Sequence, residues 1–237
     1  MPSALWTNWN LDPPLLMALL ALLLAVALSS PPTRSTHLAL TGAMIALAVA
    51  FISPLCALAT ALFSARVAHH VLMIAVAAPL LALAATRWRL PARAPLAVIV
   101  LVHTLAVWLW HAPAPYAWAT SGTASYWLME ISLLLSAFWL WSEILTPSAR
   151  PAASLSALFA TVVQMGLLGA ILTFARVPLY NLHAGVTAPF GLTQLEDQQL
   201  AGLIMWVPAA VPYLIAAGFI VARLLPQASG DVRGRNA

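Results

Sequence analysis

Long apolar runs constrain this chain more than any other feature. A helix that crosses a bilayer core needs about 20 consecutive, mostly apolar residues. Proline-rich breaks separate such runs along the sequence. The runs lie near residues 11–30, 38–58, 62–85, 95–112, 125–145, 153–175 and 198–224. The sequence therefore predicts an all-α fold, a polytopic integral membrane helix bundle of about seven transmembrane helices.

Composition agrees with a membrane protein and excludes several other classes. The 237 residues are 63% apolar and 7% charged, whereas soluble domains carry about 25% charged residues. No linker or repeat divides the chain, so we expect residues 1–237 to form a single transmembrane domain. No basic cluster alternates with aromatic residues, which argues against binding of nucleic acid. The single cysteine, Cys56, excludes an intrachain disulfide and a CxxC motif.

The arginines predict the orientation of this bundle. Basic residues favour the cytoplasmic ends of membrane helices. Arg66 and Arg176 fall on one side of the predicted bundle. The others fall on the opposite side: Arg34, Arg87, Arg89, Arg93, Arg150, Arg223, Arg233 and Arg235. We therefore expect the N-terminus outside and the C-terminus inside.

Ionisable residues inside the predicted spans are the first candidates for function. A charged group at the centre of a bilayer costs about 2.5–3.5 kcal/mol on insertion scales, so it usually faces protein, water or a ligand. Arg66, His69 and His70 lie in the third span, His103 in the fourth and Glu130 in the fifth. In the predicted orientation they gather in the outer third of the membrane. His70 and His103 would both lie about 10–15 Å below the outer surface.

One face of the third span predicts a copper site. Arg66, His70 and Met73 share that face, and we expect it to oppose His103. His69 points about 100° away from His70, so we expect it to face elsewhere. Imidazole and thioether groups suit copper, especially Cu(I), better than hard cations. The candidate ligands at this face are His70, His103 and Met73. His69 and His111 are further candidate ligands nearby.

Each of these residues also has a structural interpretation. A methionine in a membrane helix usually serves packing, and His69 could bond a neighbouring helix. Glu130 could pair with Arg66, ligate a metal or accept a proton. His111 lies in WLWHAPAPY among aromatic residues typical of the membrane interface, where it would either sit at headgroup level or admit metal to the site.

The segment before the last span supplies a supporting polar group. More than twenty residues without helical periodicity precede that span, and loops of this length are usually functional. Asp197 and Gln198 follow, at the predicted start of the helix, where Asp197 could serve as N-cap or favourably meet the helix dipole. The expected supporting residues are Arg66, Glu130, Asp197, Gln198, Met205 and Trp206.

Several motifs together resemble a known family. They are LFSARVAHHVLMIAVAAPLL from residue 62, LEDQQLAGLIMWVPA from residue 195, SPL at 53–55, WHAP at 110–113 and PLY at 178–180. These motifs resemble the CtaG family of cytochrome c oxidase assembly factors, membrane proteins linked to caa-type oxidases. The resemblance covers about residues 50–210, and its most specific element, DQxxAGxxxW, is Asp197 to Trp206.

The resemblance implies an accessory role in assembling a haem-copper oxidase in the bacterial cytoplasmic (inner) membrane. The implied partners are oxidase subunits, foremost the catalytic subunit, and the implied cargo is copper bound or handed over on the outer side. In the family's HMxxHM element the second histidine corresponds to His70. The first corresponds to Arg66, which is a departure. Glu130 is followed by Ile131 where the family often has histidine.

Three other functions remain compatible with the residues. His70 and His103 could be axial ligands of a haem in an electron-transfer protein. Arg66 and Glu130 could gate a transporter, although the inner half carries almost no ionisable residues. The polar residues could also tie the helices of a non-metal scaffold for the oxidase. No nucleophile, base and orienting residue occur together, so we do not expect an enzyme.

Overall fold

Helices form the regular secondary structure of the described residues, which are 7–88, 94–146 and 150–234 of a computed structural model, with side chains described through 224. Arg89, Arg93 and Arg235, which support the predicted orientation, lie outside the described residues. The helices are α1 Pro13–Ser29, α2 Arg34–Phe51, α3 Pro54–Ala61, α4 Phe63–Ala84, α5 Leu96–His111, α6 Pro113–Ala119, α7 Thr123–Ile144, α8 Pro151–Thr173, α9 Gln194–Trp206 and α10 Ala210–Gly234.

Five stretches of the described chain are long and apolar enough to cross a bilayer. They are α2, α4, α7, α8 and Gln194–Leu224, which combines α9 with most of α10. Helices α5 and α6 meet at 79° and add a sixth span if the bent pair counts as one. Helix α1 has 17 residues, which is near the lower limit of about 17 for a spanning helix. The predicted all-helical, multi-pass fold is therefore confirmed, with five or six such spans where the sequence predicts about seven.

Local sequence explains where several helices begin and end. Ser53 accepts a hydrogen bond from the N–H of Leu55 with Pro54 at the first helical position, so the predicted second span divides here into α2 and α3. Thr193 and Glu196 form a capping box that starts α9. Ala112 is extended because Pro113 follows it, and this ends α5.

Helix α4 contains a π-helical segment at Leu72–Ala77, followed by Pro79. A π turn and a proline both leave backbone carbonyls without their usual helical donors. Within the membrane such a carbonyl needs another partner. The indole N–H of Trp141 on α7 donates to the Ile74 carbonyl at 3.0 Å. Trp141 thereby fixes the irregular middle of α4 against α7.

Helices α8 and α9 pack closely because glycines meet at their contact. A Cβ atom built on Gly202 would lie 2.5 Å from the Gly169 carbonyl oxygen and 2.7 Å from the Thr173 nitrogen. Small residues allow such backbone approach between membrane helices. The predicted supporting residue Trp206 lies beside this contact, next to Gly169, and is 45% exposed.

The two ends of the bundle differ in chemistry. We call the end with Arg34, Arg87, Arg150 and Arg223 the arginine end. There the first turns of α2 pack against Ala84 and Ala85 at the end of α4. The opposite end carries the segment 174–193, and we call it the loop end. Two short 3₁₀ helices, Asn181–His183 and Ala188–Phe190, shape that segment. The N-termini of α4 and α7 lie at the loop end, and they position the site described below.

We expect Gly202→Ala to lower the free energy of unfolding in detergent by about 1–3 kcal/mol, because the added methyl group meets fixed backbone of α8. Chemical denaturation followed by tryptophan fluorescence measures this change. Gly218→Ala is the matched control, since a Cβ at that exposed position meets no atom within 4 Å. Equal stability of both variants would contradict the close packing of α8 and α9.

Candidate functional site

A buried carboxylate organises the polar residues of α4 and α7. Nη1 of Arg66 donates to Oε1 of Glu130 at 3.2 Å. Nε2 of His69 lies 3.4 Å from Oε2 of the same carboxylate, and Nε2 of His70 lies 3.4 Å from Oε1. We call these four residues, together with His111, the Glu130 cluster.

Both neighbouring histidines of α4 contact Glu130, so the prediction that His69 and His70 face different sites is wrong. Their Cα–Cβ directions do diverge on the helix by about 100°. The two rings nevertheless converge because the Glu130 carboxylate presents one oxygen to each. The ring of Phe51 packs edge-on against His69, with ring centroids 4.8 Å apart.

The cluster is almost fully removed from solvent. Glu130 is 1% exposed and Arg66 is 3% exposed. The ring of Tyr126 lies 5.2 Å from the guanidinium carbon of Arg66, which adds a cation–π contact. Two opposite charges at this depth tolerate burial because they pair with each other, and removal of one would leave the other uncompensated. Of the structural interpretations of Glu130, the pairing with Arg66 is therefore observed.

His111 lies beside His70, in the place where the sequence predicts His103. The ring centroids of His70 and His111 are 5.4 Å apart. His111 is buried in the interior of the bundle. Pro113 ends α5, and the chain turns by 79° into α6, so the last residue of α5 lies beside His70.

His103 lies deeper along α5. It precedes His111 by two helical turns, which correspond to about 12 Å. Its Nδ1 lies 3.1 Å from the hydroxyl oxygen of Ser136 on α7, and its Nε2 has no hydrogen-bond partner among the described residues. Ser136 is itself about 9 Å further along α7 than Glu130. The structure therefore separates His103 from the Glu130 cluster.

The hydrogen bond of His111 determines which of its nitrogens is free. Nδ1 lies 2.7 Å from the Val107 carbonyl oxygen, which can only accept, so Nδ1 carries the proton and donates. In the neutral ring Nε2 then keeps its lone pair, and it has no hydrogen-bond partner among the described residues. A backbone carbonyl that orients the other ring nitrogen in this way is typical of histidines that bind metals.

The donor atoms fit a soft monovalent ion better than a hard cation. Among the described residues, no group of three or more His, Cys, Asp or Glu side chains could hold a metal ion. The Glu130 carboxylate is already paired with Arg66. Imidazole nitrogens of the cluster remain, and Met73 is fully buried and lines a cavity of about 120 Å³ together with Glu130. Nitrogen and thioether donors are those that Cu(I) prefers.

Asp197 caps α4 and not its own helix, so the predicted N-cap role is wrong; it lies in the first turn of α9, where a carboxylate favourably meets the helix dipole as predicted. Its carboxylate accepts hydrogen bonds from the backbone N–H groups of Phe63, at 2.7 Å, and Ser64, at 3.1 Å. The Ser64 hydroxyl donates a third, at 2.5 Å. Thr193 caps α9 and leaves Asp197 free for this contact. A carboxylate at a helix N-terminus satisfies unpaired donors and favourably meets the helix dipole.

Gln198 anchors the segment 174–193 by hydrogen bonds to the main chain. Its side-chain oxygen accepts from the N–H of Leu179 at 2.6 Å, and its amide donates to the Leu172 carbonyl at 3.4 Å. Tyr180 continues this arrangement, since its hydroxyl donates to the carbonyl of His111 at 2.5 Å. The ring of Tyr180 also stacks on Phe63, with centroids 4.0 Å apart. The segment 174–193 thus contacts the start of α4 and the end of α5, two of the three helices that carry the cluster.

His183 is a second anchor of this segment. Burial lowers the pKa of His183 below its usual value, so the ring is neutral near pH 7. Nδ1 lies 3.2 Å from the Ala61 carbonyl and must donate to it, so Nε2 accepts from the Tyr116 hydroxyl at 3.0 Å. Both nitrogens are therefore used in structural contacts. Met205, also predicted to support the site, is buried in the hydrophobic core near the end of α9.

Three of these contacts are not predicted from the sequence. Tyr126 precedes Glu130 by four residues, and this spacing could have placed it on the same face of α7. The pairing of His103 with Ser136 and of Asp197 with Phe63 links segments far apart in the chain. No local pattern marks such pairs, because they depend on which helices adjoin.

Comparisons with known proteins identify one family. A family model described as cytochrome c oxidase caa3 assembly factor (Caa3_CtaG) matches residues 16–227. Comparisons with curated proteins and with solved structures give no match. The matched residues contain every member of the Glu130 cluster.

We expect Glu130→Gln to lower the free energy of unfolding in detergent by about 3–5 kcal/mol, because Arg66 would remain buried without its counter-charge. The double variant Arg66→Met with Glu130→Gln should recover a large part of this loss, since it removes both charges. Chemical denaturation of the single and double variants measures the coupling. A double variant that is less stable than Glu130→Gln would contradict a mutual ion pair.

Asp197→Asn should lower the free energy of unfolding by about 2 kcal/mol, because the hydrogen bonds to Phe63 and Ser64 lose their charged acceptor. Asp12→Asn is the matched control: Asp12 precedes α1, is exposed and makes no side-chain capping hydrogen bond. Thermal melts in detergent compare the two variants. Equal losses would show that Asp197 does not cap α4.

Proposed function

Because the chain belongs to the Caa3_CtaG family of cytochrome c oxidase caa3 assembly factors, we propose that it assists oxidase assembly by carrying Cu(I) at the Glu130 cluster. Copper is here a cargo that the protein receives and passes on. The description of the family as assembly factors agrees with a role that is not catalytic.

The arrangement of His70 and His111 is the observation that carries this proposal. The two rings come from different helices and lie 5.4 Å apart. The bond from His111 to Val107 directs an unprotonated Nε2 into a site without solvent. A buried nitrogen lone pair without a donor costs free energy. A bound metal ion would satisfy that lone pair.

Charge favours a monovalent ion. Arg66 and Glu130 cancel each other, so the cluster with neutral histidines has no net charge. Cu(I) would add one positive charge to a dry site, and a divalent ion would add two, at a higher desolvation cost. His70 and His111 would hold the ion through their imidazole nitrogens.

We further propose that the cluster lies on the outer side of a bacterial cytoplasmic membrane. This proposal keeps the seven-span arrangement with the N-terminus outside, in which α1 crosses as a short helix. The basic residues of the arginine end would then face the cytoplasm. The loop end would face the outer side, where the catalytic subunit of the oxidase is the proposed recipient.

A structural scaffold for the oxidase is the second candidate. The Arg66–Glu130 pair is complete without a metal, and this favours a cluster that only holds helices together. A haem site receives no such support, because the cavity beside Glu130 is about 120 Å³, whereas small-molecule sites have about 300–1,000 Å³.

Cu(I) binding by the purified protein separates the two candidates. We expect detergent-solubilised wild type to take one Cu(I) per chain from a chromogenic chelator under anaerobic conditions. The double variant His70→Ala with His111→Ala should bind at least about 100-fold more weakly, because it loses both proposed ligands. His103→Ala is the matched control, since it removes a buried histidine of α5 outside the cluster.

The same variants should be tested in cells. In a host that lacks its own copy of this factor, wild type and His103→Ala should restore assembled oxidase, and the double variant should not. Restoration by the double variant would favour the scaffold. Failure of wild type to bind Cu(I), together with full restoration of the oxidase, would overturn the copper proposal and leave the assembly role standing.

A further inference from the structure

An apolar groove lies at the arginine end, away from the Glu130 cluster. Four helices form its walls: α4 with Leu80, α7 with Trp141, α8 with Pro151 and α10 with Phe219. Its volume of about 630 Å³ falls within the range of about 300–1,000 Å³ that ligand sites occupy. The groove is therefore large enough to enclose part of an organic molecule rather than a single ion.

One cation borders the groove. Arg223 on α10 belongs to its lining, is exposed and forms no ion pair among the described side chains. Thr146 and Ser154 add hydroxyl groups to the same lining. Arg150, which is also exposed, directly precedes Pro151 of the groove. The groove thus combines a long apolar wall with an unpaired positive charge at its end.

We propose that this groove binds one anionic phospholipid, with an acyl chain along the apolar wall and the phosphate at Arg223. An acyl chain complements the leucine, phenylalanine and proline side chains, and an anionic headgroup complements the arginine. Basic pockets between membrane helices bind anionic headgroups in this manner. The site does not depend on the copper proposal, because it shares no residue with the Glu130 cluster.

A bound lipid would also explain why the four helices leave this space. Here a single chain would contact several helices at once and would join the end of α10 to α4 and α7. Zwitterionic lipids carry the same chains, so discrimination between headgroups would come from Arg223.

Lipid binding to delipidated, detergent-solubilised protein tests this proposal. Native mass spectrometry would compare dioleoyl phosphatidylglycerol with dioleoyl phosphatidylcholine, which differ only in the headgroup. We expect wild type to prefer phosphatidylglycerol by about fivefold, the effect of one basic residue near an anionic headgroup. Arg223→Gln should abolish this preference. Arg34→Gln is the matched control, because Arg34 is exposed at the same end but outside the groove.

A second variant tests the apolar wall. Ala216 lines the groove, and Ala216→Phe should reduce binding of both lipids by filling the space for the chain. Thermal melts without added lipid would confirm that each variant is folded. Equal binding of the two lipids by wild type, or an equal loss of preference in Arg34→Gln and Arg223→Gln, would overturn the proposal. A dimer that forms in place of lipid binding would also overturn it.

Discussion

The buried ion pair between Arg66 and Glu130 is the constraint on which the rest of the site depends. Neither charge is stable alone in a low-dielectric interior, so α4 and α7 must meet in one register. That register brings His69 and His70 to the two oxygens of Glu130. Both imidazoles are therefore placed by a charge pair that is itself complete.

The second carboxylate, Asp197, fixes the position of the N-terminus of α4. It accepts hydrogen bonds from the first N–H groups of that helix, although it lies more than 130 residues later in the sequence. Glu130 sets the register of α4 against α7, and Asp197 sets the position of its end against α9. Tyr180 then ties the segment at the loop end to the carbonyl of His111. The two histidines of the proposed copper site are thus held by separate anchors on α4 and α5.

The sequence predicts the helices well and their contacts poorly. Apolar length placed α4, α7 and α8 within a few residues, because lipid forces the backbone to bond within each helix. The sequence predicts the end of α5 within one residue, but the histidine that adjoins His70 depended on how α5 packs along α4, and it is His111 in place of His103. The cap on α4 depended on which helices adjoin, and Asp197 points to a neighbour instead of its own N-terminus. Local patterns carry no information on either choice.

Arg66 gives the site a charge that a histidine, the residue expected here from the resemblance to the CtaG family, would not supply when neutral. With a neutral histidine at this position, the negative charge of Glu130 would be available to neutralise a bound cation. With Arg66 present, that charge is already neutralised, so any cargo must be held by uncharged donors alone. Uncharged nitrogen and sulfur donors select for a soft ion of low charge. In the proposed function Arg66 thereby narrows the choice of ion, which is why Cu(I) is the cargo that we propose.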